Sequence, residues 1–348
     1  MGLVTTVTCN VAVDKIYHLE RMQVGKLMRV EKAHSLPGGK GINVARVLRR
    51  LGQPVLATGF IAGFNGAWVR HHLDQEGITH DFVEVEGETR LAIAIPNPDG
   101  RGQTEILEPG PMITAEDEAA LLGVVRQWAR ESRAVALCGS LPPGASPDLY
   151  ARMVKIIQSQ GVPAALDTNG EPLRLGLAAR PFLAKPNRAE FEALAGPLRG
   201  RRAVVQAAET WSEQSGAEWF IVTAGEEGAL AIYRPGQPGT PGRWSGQCGG
   251  GTGSAGGAGG AGSTGSTGSE REVFWVSTPR VEPVNTVGSG DSFLGGFLAA
   301  WADGRDPQGC LRLAAACAAA NVMVIGPGAV ELEMVQKLAG EVKVERWA

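Results

Sequence analysis

Asn285-Thr286-Val287-Gly288-Ser289-Gly290-Asp291-Ser292-Phe293, continued by Leu294-Gly295-Gly296-Phe297-Leu298-Ala299-Ala300, reads as a glycine turn opening a helix that packs tightly through small residues. Backbone N–H groups at such a turn, with the helix dipole behind them, form a site for the negative charge of a phosphate. The backbone amides of such a turn are well placed to hold a transferring phosphoryl group, and Asp291 at the helix start to accept a proton from a hydroxyl beside it. The competing reading of Asp291 is an ordinary helix cap.

A second segment, Leu36-Pro37-Gly38-Gly39-Lys40-Gly41-Ile42-Asn43-Val44-Ala45-Arg46, also joins a glycine turn to a helix start. Glycines let a ligand approach the backbone, and Asn43 offers both donor and acceptor to sugar-like hydroxyls. Neither segment is a common nucleotide fingerprint. Gly38-Gly39-Lys40-Gly41 lacks the Ser or Thr and the upstream spacing of a P-loop, and no strand is followed by GxGxxG.

Working outward, short apolar runs read as buried strands at Val4 to Cys9, Val55 to Phe60, Ala134 to Cys138, Pro163 to Asp167, Phe182 to Ala184, Trp219 to Thr223 and Val273 to Val276. Segments of helical spacing separate several of them, such as Ile42, Ala45, Leu48 and Leu51, or Leu149, Met153, Ile156 and Ile157. Alternating strands and helices predict a doubly wound, mostly parallel α/β sheet flanked by helices. Residues 11–36 and 80–108 differ, alternating apolar and polar around Val24 to Ser35, Phe82 to Val85 and Leu91 to Ile95. Turn signals at Glu86-Gly87 and Asn97-Pro98-Asp99-Gly100 predict antiparallel hairpins, which form either a lid over a site at the strand ends or a surface flap.

The chain has 348 residues, 43% hydrophobic and 20% charged, with 33 basic against 36 acidic side chains, enough for a sizeable core. That balance argues against a nucleic-acid-binding stripe. No run is long and apolar enough to span a membrane, and the N-terminal residues show no secretory pattern. Cys9, Cys138, Cys248, Cys310 and Cys317 are scattered without a CxxC pair, which fits reduced thiols in a cytoplasmic setting. Glycine is in excess at 49 residues, and part of the excess is local, in the run from Gly249 to Gly268. That run, within a Pro- and Gly-rich span at about 235–270, cannot offset its ordering entropy by burial and is expected to be a disordered insertion.

The two glycine segments, PGGKGINVAR and NTVGSGDSFLGGFLAA, resemble the two signatures of the PfkB, ribokinase-like carbohydrate kinases, in the same order and separation. Shorter segments extend the likeness: Thr8-Cys9-Asn10 with Asp14, Glu88-Thr89-Arg90, Gln103-Thr104-Glu105-Ile106, Gly139-Ser140-Leu141-Pro142-Pro143-Gly144, Lys185-Pro186-Asn187-Arg188-Ala189-Glu190 and Val222-Thr223-Ala224-Gly225. The resemblance implies a ribokinase-like domain over residues 1–348 with a small β-sheet lid. Within the family the chain looks like the hexose-phosphate kinases, which implies ATP-dependent phosphorylation of a ketohexose monophosphate, foremost fructose 1-phosphate to the 1,6-bisphosphate. TGFIAGFNG and EVEGETR look like 1-phosphofructokinase, whereas QTEILEPGP looks like tagatose-6-phosphate kinase.

By the same resemblance Asp291 is the base and Gly288, Ser289 and Gly290 the anion hole, while Asp14, Gly39 and Asn43 hold sugar hydroxyls. Asn187 and Glu190 match the element that organises Mg²⁺ and its waters, and Thr223, Gly225, Gly228 and Asn321 fall at the nucleotide. A phosphorylated substrate needs cationic partners, for which Lys26, Arg29, Lys40 and Arg90 are the candidates, Arg90 with the geometry for a bidentate contact. The resemblance also implies a homodimer through the lid. Val11, and Asp167-Thr168-Asn169-Gly170, depart from the family pattern. The alternatives are 6-phosphofructokinase activity, a neutral-sugar kinase and a silent sugar or nucleotide sensor; a sensor would lose Asp291 or the Asn187 and Glu190 pair, and all three are present.

Overall fold

A computed structural model describes residues 2–20, 22–97, 102–236 and 271–347. The run Gly249 to Gly268, expected to be an insertion without structure, lies outside these residues. The chain opens with β1 (Leu3–Thr8), β2 (Ala12–His18), β3 (Lys32–Gly38), α1 (Lys40–Arg50), β4 (Val55–Ile61), α2 (Gly63–Gln75), β5 (Thr79–His80), β6 (Val83–Glu84), β7 (Arg90–Pro96) and β8 (Gln103–Leu107). Alternating units follow: α3 (Ala115–Ala129), β9 (Ser132–Cys138), α4 (Leu149–Ser159), β10 (Ala164–Asp167), α5 (Gly170–Ala178), β11 (Leu183–Ala184), α6 (Arg188–Ala195), α7 (Gly200–Ser215), β12 (Trp219–Thr223) and β13 (Ala229–Tyr233). Last come β14 (Glu272–Val276), α8 (Ser289–Ala302), α9 (Pro307–Val322), α10 (Leu332–Ala339) and β15 (Val344–Arg346).

The large sheet has the order β15-β14-β13-β12-β11-β10-β9-β1-β4-β5, with β6 also on β4. It is parallel from β12 to β5, and β13, β14 and β15 add antiparallel at one edge. Its strands read as unbroken apolar runs because both faces are buried. Along β9, Ala134, Ala136 and Cys138 join the core beneath α1, α8, α9 and α10, while Val135 and Leu137 join the core beneath α3, α4, α5 and α7. Trp219 and Ile221 against Phe220 and Val222 divide the same way on β12. The free cysteines Cys9, Cys138, Cys310 and Cys317 are buried in these cores as small apolar side chains.

The second sheet has the order β3-β2-β7-β8. Two details differ from the sequence pattern. Residues 22–31 are exposed and form no strand, since β3 starts only at Lys32. Thr79–His80 and Val83–Glu84 make no hairpin at Glu86-Gly87, but extend the large sheet parallel to β4. Two-residue strands are too short to show a period, and the chain between them and β4 is an α-helix, which makes the parallel crossover natural. The β7–β8 pair is the antiparallel hairpin expected, closed where Asn97 N donates to Gly102 O.

Candidate active site

The carboxyl ends of β11 and β12 and the start of α8 border a cavity of about 530 Å³, as expected for an open α/β sheet. One face of the small sheet forms its opposite wall, through Asp14, Arg90, Ala92, Ala94, Glu105 and Leu107. The small sheet is therefore a wall of the cavity and not only a surface flap.

Two glycine turns aim their helix starts into this space. Gly39 precedes α1 with φ 102°, and a Cβ there would lie 2.6 Å from the Thr8 methyl. Gly288 precedes α8 with φ 77°, and a Cβ there would run into the Pro327 ring. Only glycine meets both the left-handed backbone and the close approach. Gly288, Ser289, Gly290 and Asp291 line the cavity together, so free N–H groups of the α8 start and the carboxylate share one volume.

Asp291 is 6% exposed and its Oδ2 accepts from Asn43 Nδ2 at 2.8 Å. Burial pushes its pKa up to about 6, with Asp167 adding to the rise and Lys40, the Asn43 bond and Lys185 opposing it. A carboxyl so poised accepts a proton near neutral pH more readily than an ordinary aspartate. Asp14, on the opposite wall, is pushed up to about 7 by burial, against the pull of Arg46 and Arg90.

A row of charges runs from Asp291 toward α6. Asp167, fully buried at the end of β10, takes Lys40 Nζ at 2.9 Å on Oδ1 and Lys185 Nζ at 2.8 Å on Oδ2. Lys40 also reaches Glu190 Oε1 at 3.1 Å. Burial alone would raise the Asp167 pKa, but the two lysines hold it below the usual carboxylate range. Burial alone would lower that of Lys40, and Asp167, Glu190 and Asp291 outweigh it, holding the ammonium firmly protonated. Asn187 and Glu190 form a capping box at the start of α6: Glu190 N donates to Asn187 Oδ1 at 2.9 Å, and Asn187 N to Glu190 Oε2 at 2.8 Å.

Of the residues singled out from sequence, Asp14, Gly39, Lys40, Asn43, Arg90, Asn187, Glu190, Thr223, Gly225, Gly228 and the Gly288 to Asp291 turn line this one cavity. Three do not. Lys26 and Arg29 sit in the exposed stretch between β2 and β3, away from the lining. Asn321 is fully buried behind the wall, its Nδ2 donating to Val287 O at 2.7 Å and its Oδ1 accepting from Ser292 Oγ at 3.0 Å and Gly328 N at 2.7 Å. With those partners it braces the glycine turn; Ala315 and Ala318, earlier on α9, are what face the cavity. Lys40 lines the cavity and is ion-paired to Asp167 and Glu190. Asp167 and Lys185 are site residues that the sequence reading misses: Lys185 stands in a segment that carries the family likeness, Asp167 in one that departs from it. Their signal was a charged residue ending an apolar strand.

The match to known proteins runs along the same elements. A family model described as "pfkB family carbohydrate kinase" matches residues 7–247 and 257–333. This chain belongs to the PfkB family of carbohydrate kinases. It is an ATP-dependent sugar kinase, and its large sheet with the separate small one is the ribokinase-like architecture. A structure from Thermotoga maritima described as a possible 1-phosphofructokinase is 25% identical, with a TM-score of 0.82 over 99% of this chain and 100% of that one. Phosphofructokinase-2 from Escherichia coli, in complex with potassium, is 23% identical, with a TM-score of 0.81 over 98% and 99%. Ribokinase from Arabidopsis thaliana, complexed with ribose and ATP, is 22% identical, with a TM-score of 0.70 over 97% and 98%.

Proposed function

We propose that this PfkB kinase transfers the γ-phosphoryl group of ATP to a ketohexose monophosphate, with fructose 1-phosphate the first candidate and the 1,6-bisphosphate the product. The observation that carries the reading is Arg90. It stands on the cavity wall and, among the described residues, has no carboxylate ion pair and holds only long bonds to the Asn10 and Glu108 carbonyls at 3.3–3.4 Å. Burial lowers its pKa against Asp14 and Glu108, yet a guanidinium stays charged. A half-buried arginine that no carboxylate of the described residues contacts directly, in a cavity that ends on a poised carboxyl, suits a substrate bringing its own phosphate.

Asp14 and Asn43 then hold the sugar hydroxyls, and Asp291 takes the proton of the attacking one as the phosphoryl group settles on the Gly288 to Gly290 amides. Lys40 and Lys185 oppose the charge on the nucleotide phosphates, and Thr223, Gly225 and Gly228 flank the nucleotide. Asn187 and Glu190 fit Mg²⁺ held through water. Their inner atoms are spent on the capping box and Lys40, and the described residues contain no cluster of three or more His, Cys, Asp or Glu suited to caging a metal. When bound, the ion neutralises charge on the transferring phosphates. We further propose that the chain pairs with a second copy through the small sheet, where Ile106 and Leu107 of β8 and Val24 and Leu27 of the stretch between β2 and β3 are exposed. A related phosphofructokinase-2 structure is described as tetrameric.

A coupled assay with fructose 1-phosphate, fructose 6-phosphate, tagatose 6-phosphate and unphosphorylated fructose tests the substrate. Highest kcat/KM on fructose 1-phosphate is expected, and preference for the unphosphorylated sugar would overturn the reading. Light scattering tests the dimer, with a monomer at micromolar concentration as the contrary result.

A further inference from the structure

Behind the Asn43 contact to Asp291 lies a buried arginine that the reaction scheme above does not use. Arg46, on α1, is 3% exposed, and each of its N–H groups has an acceptor. Nε and Nη2 reach Glu76 Oε2 and Oε1 at 2.6 and 3.0 Å. Nη2 also reaches Pro37 O at 2.7 Å, and Nη1 reaches Pro327 O at 2.8 Å and Asn43 Oδ1 at 3.2 Å. Pro37 leads into the glycine turn of α1, and Pro327 is the residue that backs Gly288 at the start of α8. One guanidinium thus joins the two glycine turns.

We propose that Arg46 is a positioning residue for phosphoryl transfer, fixing the Asn43 amide so that its Nδ2 faces and orients the Asp291 carboxylate. The reasoning is one of donors and acceptors. A guanidinium has only donors, so the amide atom beside Arg46 must be oxygen, which turns the amide nitrogen toward Asp291. With Oδ2 held by that N–H at 2.8 Å, Asp291 presents Oδ1 to the cavity as the oxygen that meets the substrate hydroxyl. Without Arg46 the amide is free to turn its oxygen to the carboxylate, which repels it. Lysine keeps the charge but not the fork of donors, so it cannot hold Glu76, Pro37, Pro327 and Asn43 at once.

The proposal rests on Asp291 being the base, and the test keeps the two ideas apart. The charged groups that face Asp291 are Lys40 on α1, Asp167 at the end of β10, Lys185 after β11 and Asp14 on β2, and none of them changes in Arg46→Lys. Arg46 also pulls on Asp14, so the variant is compared with the parent in an Asp14→Asn background as well, where a movement of the acid limb reports the Asn43 bond. In Arg46→Lys, kcat is expected to fall roughly tenfold or more, with the KM for ATP within about twofold. The acid limb of the kcat profile is expected to move up by about half a pH unit or more, as Asp291 loses a donor to its charged form. Wild-type kcat, or a loss that follows the folded fraction with the limb unmoved, would overturn the proposal. Should that variant fail to fold, Glu76→Gln decides. It leaves Arg46 intact but loosens its anchor, and an upward shift of the limb is expected although removing a negative charge would by itself lower it. An unmoved or lowered limb there also overturns the proposal. The comparison needs only a sugar that the wild type phosphorylates: failure on fructose 1-phosphate would sink the substrate reading alone, and undiminished turnover by Asp291→Asn would sink the base.

Discussion

Asp291 and Arg90 sit on opposite walls of one cavity and separate in what they should do to kinetics. Asp291→Asn keeps the shape and the contact with Asn43 but cannot take a proton. The expected result is a fall in kcat of about 10² or more, with ATP binding by calorimetry unchanged. Arg90→Ala removes a charge that meets the substrate in ground and transition state alike. It is expected to raise the KM for the sugar phosphate by roughly 10- to 100-fold and leave that for ATP within a factor of about two, by the 1.5–3 kcal/mol typical of a charged hydrogen bond. An effect confined to ATP would show that Arg90 serves the nucleotide. At this scale the sequence was legible where neighbours in the chain act together, as in the Gly288 to Asp291 turn. It was not legible for Lys40, whose partners Asp167 and Glu190 lie 127 and 150 residues away.

Among the elements, β13 and β14 carry a prediction that needs no knowledge of what connects them. They pair antiparallel, and Tyr233 at the end of one lies opposite Glu272 at the start of the other. Strand ends so placed can be closed by a turn of a few residues. Deleting residues 249–268 should therefore leave kcat and KM within about twofold and leave the unfolding midpoint unchanged or slightly higher. Halving the length of a connection between two strand ends changes its closure entropy by only about 0.6 kcal/mol. A loss of activity would show that the connection takes part in the site. The long, doubly buried strands could be read from their apolar runs because helices cover both sides, and α8 because its small residues meet α1 and α9: a Cβ on Gly295 would press on Val47, and one on Gly296 on the Cys317 sulfur. The assignment of β5 and β6 failed, since a pair of residues carries no period and its sheet is chosen by the helix before it. Asn321 follows the same logic, its role set by the turn it braces: Asn321→Ala should lower the unfolding midpoint by several degrees through unpaired Val287 O and Gly328 N.

For the whole molecule, the buried charges that line the cavity make stability depend on pH in a direction that can be worked out. Burial raises the folded pKa values of Asp14 and Asp291 to about 7 and about 6, well above the ordinary aspartate value of 3.8. Between roughly pH 4 and 7 the native chain therefore binds more protons than the unfolded chain, and stability falls as pH rises through that window. Asp167 works the other way: its folded pKa is lowered, so its contribution is present above the unfolded value and is lost on acidification. The opposing slopes place the maximum for the ligand-free protein on the acid side of neutral. The raised pair is expected to cost roughly 1–3 kcal/mol at pH 8 relative to pH 5, after allowance for solvent reaching the open cavity. Thermal unfolding of the ligand-free protein should accordingly show a midpoint about 2–5 °C lower at pH 8 than at pH 5.5. Asp14→Asn should remove part of that slope by gaining stability at pH 8 and little at pH 5.5, while the sugar KM rises. A midpoint that increases steadily from pH 5.5 to 8, in wild type and variant alike, would mean that neither carboxyl is held protonated by the cavity. Asp291 would then be an ordinary ionised aspartate, and the case for it as a base poised near neutrality would fall with it.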